Sequence, residues 1–271
     1  MEKQLINWFP GHMAKANRKI MESLKQVDLV LEVVDCRAIK ATANPDFSKL
    51  NKPVLKVALK ADIGDIKNVK WQPNLVVGST KNKSFRSVLL NEIKKILAPL
   101  EAKKKAKGIA NPTFYLMVVG LPNVGKSSLI NFLANKNLAP TGNRPAVTKT
   151  QTIIKISDNL YLQDNPGVFF KKIQDVKEGY VLALLNTIKK EVLPLNEILE
   201  YCYNYMANHY WKQLSAYYHL EYALPYNAFI KWYASKRNFV VSNNQPDITR
   251  AQDALFDDFV NGKICKINYE N

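Results

Sequence analysis

Cysteine is scarce in this chain, with only Cys36, Cys202 and Cys265 among 271 residues. The three are scattered and show no C-x-x-C spacing, so no disulfide framework is read from them and they are taken as reduced thiols. No apolar run approaches the roughly 20 residues needed to span a bilayer, and the opening MEKQLINWFPGH has no apolar h-region. A soluble, cytoplasmic, monomeric protein with no membrane partner is therefore expected. Acidic residues are thin in the first two-thirds: residues 1–180 hold 30 Lys and Arg against 14 Asp and Glu, whereas residues 181–271 hold 9 against 9. All of the formal net charge of +16 thus lies in the first part. A field of that sign attracts polyanions, and nucleic acid is the usual partner of a basic soluble domain. A Lys-rich solvated surface that reflects only composition is the alternative.

Against these absences stands one strong motif. In Phe114 to Leu133, FYLMVVGLPNVGKSSLINFL, an apolar run ends at Gly120 and a helix-periodic run begins after Lys126. Strand, phosphate loop and helix are expected, with Gly120, Gly125, Lys126 and Ser127 filling G-x-x-x-x-G-K-[ST]. The backbone of Asn123, Val124, Gly125 and Ser128 can cradle phosphates, Lys126 can reach the β- and γ-phosphates, and the Ser127 hydroxyl suits Mg²⁺. Further along, Asp164-Asn165-Pro166-Gly167 closes a strand and faces the same chemistry from the other side. Asp164 can hold Mg²⁺ through a water, the Gly167 N–H can meet the γ-phosphate, and Thr148 in the intervening loop can close on the metal.

Short strands are also expected at Leu29–Val34, Pro53–Ala58 and Leu75–Val77, with a strand pair at Thr152–Ile156 and Leu160–Leu162. Helical spacing runs from His12 to Gln26 and from Phe85 to Leu97, and residues 102–112, AKKKAKGIANP, are expected to form an exposed linker. Beyond about residue 180 the texture becomes aromatic, with helical spacing in Val181–Ile188, Leu195–Tyr205 and Tyr226–Tyr233. Core packing is the expected use of those rings, and a base-stacking platform is the alternative.

Lys60-Ala61-Asp62 follows the second strand and resembles the guanine-recognition motif N-K-x-D, whose carboxylate accepts from the guanine N1–H and exocyclic amine. Ser79-Thr80-Lys81 follows the third strand and fits a loop backing the guanine O6. Both precede the phosphate loop, whereas an ordinary GTPase has them after it. With that order, FPGHMAKA at 9–16, VVDCR at 33–37, GLPNVGKSSLIN and TGNRPAVT, nearly the whole chain resembles the YlqF/RbgA family of ribosome-assembly GTPases.

The resemblance implies a circularly permuted Ras-like P-loop GTPase domain of α/β class over residues 1–180, then a small mainly α-helical RNA- and ribosome-interacting domain over 181–271. It implies GTP hydrolysis stimulated by the ribosome, with GTP and GDP, the large subunit and rRNA as partners. Carried over by position, Lys60, Asp62, Ser79 and Thr80 bind the base, Lys126 and Ser127 hold phosphate and Mg²⁺, and Thr148, Asp164 and Gly167 form the switches. Asn123 matches an asparagine that ligates K⁺ in related GTPases, and His12 is the family's candidate for handling the attacking water beside Lys126 and Thr148. Three positions and one loop depart from the pattern. Leu59 stands for the asparagine that ties the base loop to the phosphate loop, Asn165 for a threonine, and Val168 for a water-orienting glutamine, while STKNKS lacks the expected glycines. Leu59, Asn165 and Val168 favour a rival reading, a nucleotide-dependent RNA-binding factor with little or no hydrolysis; an ATPase or P-loop kinase is a second.

Overall fold

Among the described residues six strands build one sheet, and the loops at one end of it carry the phosphate-loop motif and the segments at 60–62 and 79–81. The computed structural model describes residues 18, 20–135, 152–164, 173 and 175–271, apart from the side chains of Thr152, Asp164 and Asn243. The strands are β1 (Leu29–Asp35), β2 (Val54–Leu59), β3 (Leu75–Val77), β4 (Phe114–Gly120), β5 (Thr152–Ser157) and β6 (Leu160–Asp164). Their spatial order is β3-β2-β1-β4-β6-β5. All neighbours run parallel except β5, which is antiparallel to β6 at the edge.

Every residue of β1 is buried, as expected of a central parallel strand covered on both faces. Alternate side chains go to opposite faces. Val30, Met117 and Val119 pack with Ile20, Leu24 and Phe47 on one face. Leu31, Val33, Leu55, Val57, Leu116 and Val118 join the larger core on the other. Even Glu32 in mid-strand is paired, its Oε1 accepting from the Asn44 N–H at 2.6 Å.

Helix α1 (Phe85–Ala106) buries Phe85, Leu89, Ile93 and Leu97, a stripe spaced every four residues. Helix α2 (Lys126–Ala134) leaves the phosphate loop and buries Leu129 and Leu133. The expected linker at 102–112 is corrected in part, because α1 continues through Ala106. Lys103, Lys104 and Lys105 occupy its last turn, where cations suit the negative end of the helix dipole. Lys104 is also anchored: its Nζ bonds Asp28 Oδ1 at 3.1 Å and the Thr113 carbonyl at 2.9 Å, and lies over the Phe114 ring.

The last part is helical, with α3 (Val176–Leu184), α4 (Leu195–His209), α5 (Trp211–Tyr218), α6 (Tyr226–Lys236) and α7 (Ile248–Val260). Asp175 and Asp247 cap α3 and α7 through the backbone N–H groups of Glu178 and Arg250. Tyr203, Phe229 and Tyr233 are buried here, and the Tyr203 and Phe229 rings stack at 4.3 Å, so core packing claims most of the aromatics. The chain then returns to the sheet. Ile267 forms a parallel bridge with Gly64, Tyr269 N–H donates to the Arg37 carbonyl at 2.7 Å, and Glu270 Oε1 accepts from Ala41 N–H at 2.9 Å. Among the described residues no helix is long and apolar enough to cross a membrane.

Candidate nucleotide-binding site

The phosphate loop connects β4 to α2, and its glycines are required by close contacts. A Cβ at Gly120 would fall 2.4 Å from the Val33 carbonyl oxygen of β1, so only glycine lets the two strand ends approach. Gly125 has φ 106°, a left-handed conformation that side chains disfavour, and a Cβ there would meet Leu59 Cδ1 at 3.0 Å. Val124 is fully buried and pins the loop from beneath, while Ser127 and Ser128 lie in the first turn of α2. Lys126 Nζ donates to the Leu121 carbonyl at 2.6 Å, within its own loop. Burial depresses its ammonium to a pKa of about 8.

The two segments expected to read the base meet beside this loop because β2 and β3 are neighbours. Asp62 Oδ1 accepts from Ser79 Oγ at 2.8 Å, and its Oδ2 accepts from Lys81 Nζ at 2.7 Å. Burial tends to raise the Asp62 pKa, but Lys81 and Ser79 outweigh it and hold the carboxyl below the usual range. The group is therefore an ionised acceptor. Lys81 stands out as a residue that the sequence suggested only as the third member of S-T-K.

Lys60 supplies the tie that Leu59 was expected to forfeit. It adopts φ 66°, and its Nζ reaches across to the Asn123 carbonyl at 2.7 Å. Leu59 itself is buried and lies against Gly125. An ion contact and an apolar contact thus join base loop to phosphate loop where the family pattern has an amide hydrogen bond.

The same ammonium sits 2.8 Å from Asp35 Oδ2, at the end of β1. Asp35 has no solvent exposure and receives both Nε and the second amino group of Arg37, at 3.0 and 2.9 Å. Burial would raise its pKa, yet Arg37 and then Lys60 outweigh that and keep it low. Arg37 also donates to the Val260 carbonyl at the end of α7, at 3.2 Å. Asn123 reaches the helical part as well, through Nδ2 to the Asn186 carbonyl at 2.6 Å. Asp35, Arg37 and Asn186 were missed as site residues. VVDCR marked the place of the first two, but a role for them appears only when β1 and β2 lie side by side.

A family model described as 50S ribosome-binding GTPase matches residues 115–210. The protein named probable ribosome biogenesis GTPase A of Mycoplasma pneumoniae is 40% identical over 270 residues, spanning 98% of this chain and 96% of that one. This chain belongs to the ribosome biogenesis GTPase A family. The Bacillus licheniformis protein of that name is 33% identical over 279 residues, with 98% of each chain covered. The crystal structure of GNP-bound YlqF from T. maritima superposes with a TM-score of 0.68 at 25% identity, covering 95% of this chain and 98% of that one.

In a ribosome biogenesis GTPase the order of motifs now has a structural reading. The base loops follow β2 and β3, the phosphate loop follows β4, and the sheet still places β4 beside β1 at its centre. The fold is a circularly permuted P-loop GTPase. GTPases of this family imply Mg²⁺, and the donors fit: the hard hydroxyl oxygen of Ser127 follows the left-handed Gly125 at the N-terminus of α2. Bound there, the ion would offset charge on the phosphates. Asp164 is described as the last residue of β6, paired with Thr152. His12, Thr148, Gly167, Asn165 and Val168 lie outside the described residues.

Proposed function

We propose that this protein is a GTP-hydrolysing assembly factor that binds the large ribosomal subunit through rRNA, promotes its late maturation in the cytoplasm and leaves on hydrolysis. The observation that carries the reading is the continuous set of contacts from the nucleotide loops to the C-terminal helices. Asn123 bonds Lys60 and Asn186, Lys60 bonds Asp35, and Asp35 bonds Arg37, which reaches Val260. Nucleotide that orders the phosphate loop would bias how residues 181–271 sit on the GTPase part, and a two-state element of that kind is what a release switch needs.

Within this reading Lys60, Asp62, Ser79 and Thr80 take the guanine, and the turn from Asn123 to Ser128 takes the phosphates. Lys126 and Ser127 carry the chemistry with Thr148, Asp164 and Gly167 on the far side. Lys126 steadies charge that develops on the transferring phosphoryl group. Asn123 would also present an oxygen to K⁺. Because Val168 cannot orient water, His12 takes that role when the ribosome is bound. Replacing His12 with Ala is expected to abolish subunit-stimulated hydrolysis while GDP affinity stays within about twofold; equal loss of both would remove the catalytic role.

Co-sedimentation with purified large subunits tests the switch. Binding is expected with a non-hydrolysable GTP analogue, and it is expected to fall with GDP and with rising salt. Indifference to nucleotide would contradict the model. The second reading, nucleotide-dependent RNA binding with little hydrolysis, is favoured by Val168 and predicts the same sedimentation without turnover.

A further inference from the structure

The neutral charge of the last 91 residues conceals a local imbalance. Between residues 210 and 240 the chain holds Lys212, Lys231, Lys236 and Arg237 against Glu221 alone. Two of these cations border a cleft of 320 Å³ between the end of α5 and α6. Its walls are aromatic. Trp232 stacks on Phe229 at 5.8 Å behind it, and half-buried Tyr217 stands edge-on to Tyr218 at the other side. Lys236 Nζ lies over the Trp232 ring at 5.9 Å, Arg237 lies over Tyr233 at 5.3 Å, and exposed His219 closes the rim.

The acid that bonds two of the cleft's tyrosines is fully engaged. Asp258, 3% exposed at its side chain, accepts from Tyr233 Oη at 2.8 Å, Tyr218 Oη at 3.4 Å, Arg237 at 3.1 Å and Lys263 Nζ at 2.9 Å. Its charge is offset, so the mouth of the cleft presents cations over ring faces. A cage for a methylated ammonium would need the opposite sign at its rim. An acidic peptide would meet the cations but leave the rings without a partner. A nucleotide uses both, with its base on the rings and its phosphates on Lys236, Arg237 and His219.

We propose that this cleft captures one unstacked nucleotide of single-stranded RNA, its base against Trp232 and Tyr217. The volume suits a single base with its sugar and excludes a duplex. The inference rests on the RNA-binding part of the proposed function and deepens it by naming the RNA form and the residues that take it.

The test uses the full chain saturated with a non-hydrolysable GTP analogue, the state expected to bind, so that the phosphate loop does not compete, and follows the anisotropy of a labelled oligoadenylate and of a mixed-sequence RNA duplex. Tyr217→Leu is expected to weaken the single strand by about 5- to 150-fold, the range for losing one base–ring stack, and to leave the duplex and GDP affinity unchanged. Lys236→Ala is expected to weaken the single strand less and to flatten its salt dependence. Trp232 emission should be quenched by the single strand in the Trp8→Phe, Trp71→Phe, Trp211→Phe background. An unchanged single-strand affinity in Tyr217→Leu, an equal fall for the duplex, no single-strand binding by the unaltered protein, or displacement by polyglutamate as readily as by RNA would each overturn the proposal. Sedimentation with large subunits separates the two levels: subunit binding that survives a failed oligonucleotide test leaves the assembly reading standing, and its loss in the unaltered protein removes both.

Discussion

At the residue scale the site turns on three charges. If Asp62 reads guanine, Asp62→Asn turns one of two acceptor oxygens into a donor NH2 and removes the charge from the other. Losing two charge-assisted hydrogen bonds, at about 1.5 to 3 kcal/mol each, predicts at least a hundredfold loss of GDP affinity by calorimetry; an unchanged affinity would place the base elsewhere. Lys126 gives a pH dependence. Its folded pKa of about 8 lies below the ~10.4 of a free lysine, so burying the ammonium costs stability fully below pH 8, and the cost fades as pH rises toward ~10.4. Phosphate favours the charged form, so binding takes up a proton once the free ammonium begins to titrate. GDP affinity should fall as pH rises through 8, and Lys126→Met should flatten that part of the profile.

Lys60 is the third charge, and it shows how a side chain can serve a pattern that its neighbour has lost. The sequence indicates that Leu59 cannot make the tie; only the left-handed backbone at Lys60 reveals that the next residue makes it. Strained backbone at a functional position is expected where surrounding contacts enforce it, here the paired contacts to Asn123 and Asp35.

At the element scale the strand ends act as a unit. The end of β1 holds Asp35 and Arg37, the end of β2 holds Lys60, and α7 and the C-terminal tail accept or donate at Arg37. Arg37→Met would leave a buried carboxylate with Lys60 as its remaining charged partner. A destabilisation of about 3 to 5 kcal/mol is predicted from urea denaturation, with weaker GDP binding as Lys60 is drawn toward Asp35. Loss of less than about 1 kcal/mol would show that the pair is not structural. In α1, Leu89→Ala removes a fully buried side chain from the stripe facing the sheet and should cost about 2 to 5 kcal/mol.

Much of this layer was legible beforehand. β3 was read with the bounds it has, and β1, β2 and β4 were read within a residue or so, because buried parallel strands are short apolar runs ending at Gly, Asp or Lys. α1 was cut short because its last turns are lysine-rich. Those lysines are stabilised by the helix end and by Asp28, which lies 76 residues away in sequence. α5 and α7 were missed because their apolar positions serve two neighbours and include a buried acid, Asp258, whose partners come from α5, α6 and the segment after α7. Long-range partners of that kind leave no local trace.

At the scale of the whole molecule the chain passes from β6 to the C-terminal helices, and its far end comes back to the loop after β2. The return of Ile267 to Gly64 and of Tyr269 to Arg37 closes that circuit. Motif order in the sequence carried the permutation, whereas the circuit itself became visible only in three dimensions. In the proposed function the ribosome triggers a guanine-nucleotide switch in this circuit. The most direct measurement is GTP turnover in Mg²⁺ and K⁺ buffer with and without purified large subunits. Turnover is expected to be slow alone and to rise about tenfold or more with subunits, as when a missing water-orienting group is brought into place. Equal rates with and without subunits would contradict the proposed function.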